Sequence, residues 1–217
     1  VERLHAVLPT LCSQYEIILV NDDSRDGSWH AIQALCAADP RVLGIDLMRN
    51  FGQHNALLCG IRQARYELIM TLDDDLQNPP EEAPKLFARI AEGFDVVYGA
   101  PAAERHGFWR DISSRLIKKV LNKLMNIKSA ATVSAFRLFR AEICQAFSDY
   151  KGAFVSIDVL LSWGTTRFAS VIVDHQEREH GKSNYSFRKL MNHALTLITG
   201  FSNTPLRFAS LIGFVFT

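Results

Sequence analysis

Three adjacent carboxylates, Asp73-Asp74-Asp75, stand between Leu72 and the run Leu76-Gln77-Asn78-Pro79-Pro80. Neighbouring like charges repel, so a fold tolerates them when they are solvated or when a cation neutralises them. Mg²⁺ or Mn²⁺ held by one or two carboxylates, with substrate phosphate oxygens completing an octahedron, suits such a group. After a strand, the alternating Asp73 and Asp75 can point to one side, and Gln77 continues the alternation with an amide oxygen. The plainer reading is an acidic loop that caps the following helix. A second cluster, Asn21-Asp22-Asp23-Ser24-Arg25-Asp26-Gly27-Ser28, reads as a helix start with Ser24 or Asp26 as N-cap. Capping has no use for Asp22, which lies where a ligand-binding residue at a sheet edge would.

Cationic candidates come later in the chain. Arg137 interrupts an apolar strand pattern, where an unpaired cation is costly, so it either meets an anionic ligand or pairs with some carboxylate. Arg178 and Lys182 fall in a polar loop, where exposed charge is ordinary. Asp158, in a mostly apolar helical stretch, is the remaining carboxylate for a base or acceptor-positioning role, the alternative being an exposed helix residue. The seven histidines show no metal-ligand spacing, and no Ser/His/Asp arrangement is legible.

These residues need elements to hold them. From residue 16 short apolar runs alternate with helical patterns: strands over Glu16–Val20, Val42–Leu47, Leu68–Leu72 and Asp95–Tyr98, helices over Ser28–Ala38, Gln53–Ala64 and Pro80–Glu92. Nearly unbroken apolar strands alternating with helices predict an α/β fold with a parallel sheet covered on both faces. Such sheets bind ligands at the carboxyl ends of their strands, where both acidic clusters fall. Further on, the pattern predicts a helix over Asp111–Met125, a strand over Val133–Phe139, a helix over Val155–Trp163, a strand over Phe168–Val173, a polar loop from Asp174 to Ser186 and a helix from Phe187 to about Gly200.

The 217 residues carry a net charge of +1, 48% hydrophobic residues and 14 Phe, which fits one globular domain and excludes a disordered chain. So balanced a charge argues against a nucleic-acid binder relying on bulk positive charge. The four cysteines form no C-x-x-C pair, so neither a zinc knuckle nor a disulfide framework is indicated. Both ends read as cut: Val1 to Leu11 has the pattern of an amphipathic helix without a preceding Met or apolar leader. Pro205 to Thr217 turns apolar and stops, either a buried terminal helix or the beginning of a membrane span. The run Arg105 to Lys128 carries seven Lys or Arg against one Asp. It reads as a solvated helix face, or as a surface for anionic headgroups.

Taken together, Ile17 to Ser28 resembles the "ILVDDGSTDGS" signature of family-2 glycosyltransferases of the GT-A fold. Arg49-Asn50-Phe51-Gly52-Gln53-His54-Asn55-Ala56, Asp73 to Pro80 as "DxDLQxPP", and His180 to Ser186 as "GxSxYS" resemble the branch that transfers sugars to polyprenyl phosphates. Val97 to Pro101, Ser134 to Arg137 and Ile157 to Phe168 look most like its undecaprenyl-phosphate aminoarabinose-type subgroup. The resemblance runs along essentially the whole chain.

It implies a GT-A, Rossmann-like, mostly parallel sheet lacking its opening strand. The catalytic domain would span 1–186, followed by a juxtamembrane amphipathic helix over 187–203 and the start of a membrane helix over 204–217. It further implies a metal-dependent inverting transfer from a nucleotide diphosphate sugar, UDP-linked by subgroup, to undecaprenyl phosphate on the cytosolic face of a bacterial inner membrane. Oligomers through membrane helices belong to the same expectation. By this analogy Asp22, Asp73 and Asp74 bind the nucleotide sugar, and Asp73, Asp75 and Gln77 hold Mg²⁺ or Mn²⁺. Asp75 and Asp158 are catalytic, and Arg137, Arg178, Lys182 and Ser183 hold the acceptor phosphate. Asn21 departs from the family, which has Asp there, so it alters either nucleotide preference or only local hydrogen bonding. Two competitors are a processive polysaccharide synthase, whose Q-x-x-R-W motif is absent, and an inactive nucleotide-sugar-binding remnant.

Overall fold

Alternating apolar runs and helical patterns become alternating strands and helices in the structure, a computed structural model that describes residues 1–101, 133–152 and 154–176, with Ser210 and Phe214 singly. Helix α1 (Glu2–Val7) tightens into a 3₁₀ turn at Leu8–Thr10, short of the expected Leu11. Pro9 explains this, since it has no N–H to continue the α-helical ladder. Strand β1 (Ile17–Asn21) leads through Gly27, in the left-handed region at φ 80°, into α2 (Ser28–Ala38). Gly27, and not Ser24 or Asp26 as expected, takes the N-cap position, while Asp26 just before it accepts Ser28 N–H and Oγ–H on Oδ1 at 3.1 and 2.6 Å. Then follow β2 (Val42–Asp46), α3 (Gln53–Gln63) and β3 (Leu68–Thr71). A 3₁₀ turn at Pro80–Glu82 precedes α4 (Ala83–Ala91), and β4 (Val96–Pro101) closes the first half. The second half supplies β5 (Arg137–Arg140), a 3₁₀ stretch at Ala141–Phe147, α5 (Ile157–Gly164) and β6 (Phe168–Val173).

The sheet comes in two hydrogen-bonded pieces. Strands β1 and β2 pair in parallel, from Ile17 opposite Val42 to Asn21 opposite Asp46. The other piece has the order β3-β5-β4-β6, with β4 and β6 parallel and β5 antiparallel to both neighbours. The arrangement is therefore mixed, not wholly parallel. Strand β5 also starts later than the expected Val133, because the Ser134 hydroxyl takes Phe136 N–H at 3.2 Å and so competes with the ladder.

Side-chain alternation sorts the core into two faces. Ile69, Val96, Tyr98, Phe139 and Phe168 point to one side, under α3, α5 and the 3₁₀ stretch. Val97, Leu138, Ala169 and Val173 point to the other, under Ala83, Leu86 and Ile90 of α4. A smaller cluster of Leu8, Ile17 and Val42, with Met70 of β3 against it, ties the two sheet pieces together. Among the described residues no helix is long and apolar enough to cross a membrane. The expected helices over Asp111–Met125 and 187–203, and the expected span over 204–217 apart from Ser210 and Phe214, lie outside the described residues.

Leu86 is fully buried between α4 and the sheet. Leu86→Ala is expected to lower the unfolding free energy by about 2–5 kcal/mol through lost burial and a residual cavity, read as a reduced urea midpoint at unchanged slope. A loss below about 1 kcal/mol would mean that this face is not tightly packed.

Candidate active site

Both acidic clusters emerge at the carboxyl edge of the sheet, and the segment between β2 and α3 joins them. The Asp22 carboxylate accepts Phe51 N–H at 2.7 Å on Oδ1 and Gly52 N–H at 2.8 Å on Oδ2. Asn50 Nδ2 adds a bond to the Asp22 carbonyl at 3.0 Å. Gly52 has φ 88°, a left-handed conformation for which glycine is suited, and this turns its N–H toward Asp22. The next residue, Gln53, opens α3 and donates from Nε2 to Asp73 Oδ1 at 2.7 Å. A continuous chain of contacts thus runs Asp22, Phe51–Gly52, Gln53, Asp73. His54 extends it, its Nδ1 accepting Ile157 N–H at 3.3 Å at the start of α5.

Asn21 is buried and bonded through both ends of its amide. Its Nδ2 donates to Asp46 Oδ1 at 2.7 Å, and its Oδ1 accepts Ser24 N–H at 3.3 Å. Local hydrogen bonding therefore accounts for the amide: a carboxylate at 21 would face that of Asp46, its register partner.

The acidic loop is not an extension of the strand. β3 stops at Thr71, residues 74–75 form a turn, and Leu76 sits at φ 58°, a conformation costing of order 1–2 kcal/mol for a side chain of its kind. The expected strand-like alternation of Asp73, Asp75 and Gln77 is thus replaced by a turn, with Gln77 N–H folded back on Asp75 Oδ1 at 3.2 Å. Neighbouring segments clamp it. Arg3 makes a two-bond fork to Glu81 at 2.9 and 2.6 Å, Gln176 N–H donates to the Gln77 carbonyl at 2.9 Å, and Asp174 N–H donates to Glu82 Oε2 at 2.8 Å. Arg178, Lys182 and Ser183 lie outside the described residues, as does the basic run 105–128.

Burial raises the Asp73 carboxyl above its ordinary value, and the charge of Asp75 adds to this, while Arg137 and the Gln53 hydrogen bond pull the other way. Among the described residues no three His, Cys, Asp or Glu side chains converge as a ready metal site. Two crowded carboxylates still match a cation that takes one or two protein oxygens and completes its shell from phosphate and water.

Arg137 and Asp158 form a buried ion pair. Each is at most 5% exposed, and Arg137 Nη1 donates to Asp158 Oδ1. The Tyr98 hydroxyl donates to the same oxygen at 3.0 Å, and the Arg137 guanidinium carbon lies 6.0 Å from the centre of the Tyr98 ring. Thr71, Arg137 and Tyr98 occupy one row across β3, β5 and β4, so the pair sits two residues below Asp73. Among the described residues, Arg137 Nε is a buried side-chain polar atom without a hydrogen-bond partner. Asp158 is thus not an exposed helix residue. Gln53 and Tyr98 were not singled out from sequence; the start of a helix right after Gly52 is the signal that flags Gln53, whereas Tyr98 reads as an ordinary strand aromatic.

Comparison with known proteins adds to this geometry. The sequence model of glycosyl transferase family 2 matches residues 1–147. The undecaprenyl-phosphate 4-deoxy-4-formamido-L-arabinose transferase of Pseudomonas aeruginosa is 37% identical over 212 residues, covering 97% of this chain and 62% of the relative. The enzyme of the same name from Yersinia enterocolitica is 37% identical over 217 residues, covering 99% and 66%. The chain therefore spans about three fifths of the length of the curated relatives it matches. Among solved structures, glucosyl-3-phosphoglycerate synthase from Mycobacterium tuberculosis, in complex with Mn²⁺, UDP and glucosyl-3-phosphoglycerate, aligns with TM-score 0.62 at 16% identity, covering 91% of this chain and 73% of that one. S. aureus TarS in complex with UDP aligns with TM-score 0.51 at 16% identity, covering 86% and 56%. At these identities the likeness is one of fold.

A raised carboxyl favours the fold while it is protonated. That contribution is present below the ordinary carboxylate range and is lost as pH rises through the raised value, so near neutrality the ionised Asp73 works against stability. Mn²⁺ is accordingly expected to raise the melting temperature near pH 7, and to raise it much less at about pH 4, where protons compete for the same oxygens. Equal shifts at both pH values, or none, would remove the acidic loop as a cation site.

Proposed function

The chain belongs to glycosyl transferase family 2, and on that footing we propose that it moves a sugar, with inversion, from a UDP-linked nucleotide sugar to a polyprenyl phosphate such as undecaprenyl phosphate. The observation that carries this reading is the linkage of both acidic clusters into one carboxyl-edge site through Gln53, above a buried arginine whose Nε–H has no partner among the described residues. A carboxylate pair suits a nucleotide diphosphate and its cation. A cation with a spare donor suits a second phosphate.

The reaction breaks the bond from the anomeric carbon to the diphosphate oxygen and forms one from an acceptor phosphate oxygen on the opposite face of the sugar. A phosphate monoester is largely ionised near neutral pH, its second pKa being about 6, so its oxygen needs no strong base. Asp73, Asp75 and Gln77 are the residues that would hold Mg²⁺ or Mn²⁺, which when bound supplies neutralisation of the departing diphosphate. Asp22 and Asp74 would complete the nucleotide-sugar side, Asp22 by fixing the 50–52 loop that flanks it. Arg137, Arg178, Lys182 and Ser183 would receive the acceptor phosphate, with Asp158 in the acceptor-positioning role. The acceptor is a membrane lipid, so this reading sets the domain on a cytosolic membrane face, with 187–203 lying in the interface, 204–217 entering the bilayer, and oligomers forming through membrane helices. Products of this type serve cell-envelope glycans or lipid A modification.

The test supplies the protein, in membranes or detergent, with undecaprenyl phosphate, Mn²⁺ or Mg²⁺ and a panel of radiolabelled nucleotide sugars. Label in the organic phase that disappears with EDTA is the expected result, and it names the sugar. Asp75→Asn is expected to lower that rate about 10²–10³-fold with the fold intact, as removal of a group that stabilises developing charge does. Metal-dependent nucleotide binding without lipid label from any donor would overturn the transferase reading in favour of a nucleotide-sugar-binding remnant.

A further inference from the structure

We propose that Tyr98 and Asp158 are positioning residues for Arg137: the Asp158 carboxylate anchors the guanidinium and accepts no proton in the reaction, and the Tyr98 hydroxyl fixes that anchor. The inference rests on the reading of Arg137 as a cation that receives an acceptor phosphate.

The geometry carries it in three steps. First, a general base needs a lone pair within reach of the proton it takes. Asp158 is buried, and its Oδ1 already accepts two donors, Tyr98 Oη–H and Arg137 Nη1–H. Both contacts come from donors, the arrangement of an anchor for the guanidinium. Second, Tyr98 grips the pair at two points. Its hydroxyl meets Asp158, and its ring stands under the guanidinium at 6.0 Å. Burial, followed by the neighbouring Asp158 charge, raises the phenol far above its ordinary range, so it remains a donor. Third, the guanidinium held in this way has, among the described residues, no partner for Nε–H in a buried setting, where a donor is strong and an unmet one is costly. An anionic phosphate oxygen is the acceptor class that such a donor matches. Register keeps the arrangement rigid, because Tyr98 and Arg137 are paired residues of adjacent strands and Asp158 lies in the first turn of α5, which covers them.

Tyr98→Phe keeps the ring and removes only the hydroxyl. It is expected to raise the KM for undecaprenyl phosphate about tenfold, the scale of one hydrogen bond to a charged group, with donor KM, kcat and the pH profile unchanged. Asp158→Asn is expected to raise the acceptor KM further, again without altering the shape of the pH profile. Asp158→Asn that abolishes turnover at unchanged acceptor KM and removes the acid limb of the pH profile would overturn the inference in favour of a base. A wild-type KM in Tyr98→Phe would overturn it also, and stands even if the Asp158 variant fails to fold. Binding of undecaprenyl phosphate in nanodiscs, measured without donor, separates this from the transferase reading. Affinity falling from wild type to Tyr98→Phe to Arg137→Ala supports the positioning role even in a protein that transfers no sugar, whereas equal binding by all three overturns it.

Discussion

Carboxylate crowding at the carboxyl edge of the sheet is the constraint around which this structure is arranged. Asp22, Asp46 and Asp73 end or follow three strands, and Asp23, Asp74 and Asp75 stand beside them. Strands of a sheet lie about 5 Å apart, a distance at which like charges repel appreciably even in a partly screened setting. The chain answers chiefly with N–H donors: the backbone of residues 51 and 52, and the side-chain amides of Asn21 and Gln53. Amides and backbone groups orient a carboxylate without cancelling its charge. The cluster therefore remains able to attract a cation, and among the described residues Arg137, one layer below, contributes positive charge to Asp73. The unfavourable turn at Leu76 belongs to the same arrangement, since a strand continued past Thr71 would have no such fold of Gln77 onto Asp75.

Much of this edge was legible in the sequence, because the pattern of apolar runs locates strand ends and strand ends locate ligands. The placing of the acidic clusters at strand ends and the helices between them follow from periodicity alone. What could not be read is of two kinds. The direction of β5 leaves no trace in composition, since an interior strand buried on both faces looks the same whichever way it runs. The partners of polar side chains are equally silent: Arg137 and Asp158 lie 21 positions apart on a strand and a helix, and only the packing of α5 over β5 makes them one unit. Arg137 was a candidate because a cation in an apolar run demands an explanation. Tyr98 raised no such demand, since its ring satisfies the core and only its hydroxyl is polar.

Asn21 shows how a single departure from a family pattern is absorbed. In the register of β1 and β2 it faces Asp46, and an amide can donate to that carboxylate where a second carboxylate would repel it. The Asp22 carboxylate, by contrast, is held by the backbone N–H groups of Phe51 and Gly52, so those two bonds do not depend on the side chain at position 51 as long as Gly52 keeps its φ of 88°. The first position is read by a side chain and the second by the main chain, and they are free to diverge to different degrees.

The insertion of β5 between β3 and β4 bears on the order in which the protein can assemble as it leaves the ribosome. Leu68 pairs with Arg140, and no ladder among the described residues joins β3 to β4 directly. The β3–β5 ladder is complete only once residue 140 has been synthesised, and until then the edge of β3 that receives β5 stays open. The parallel β1–β2 unit, whose partners lie only 25 positions apart, can form far earlier. The nascent chain thus carries an interval in which that strand edge and the aspartates after it are exposed together. Strand edges of that kind invite pairing with other chains. Charge repulsion from those same aspartates is then a safeguard against self-association during synthesis, well before any of them meets a ligand.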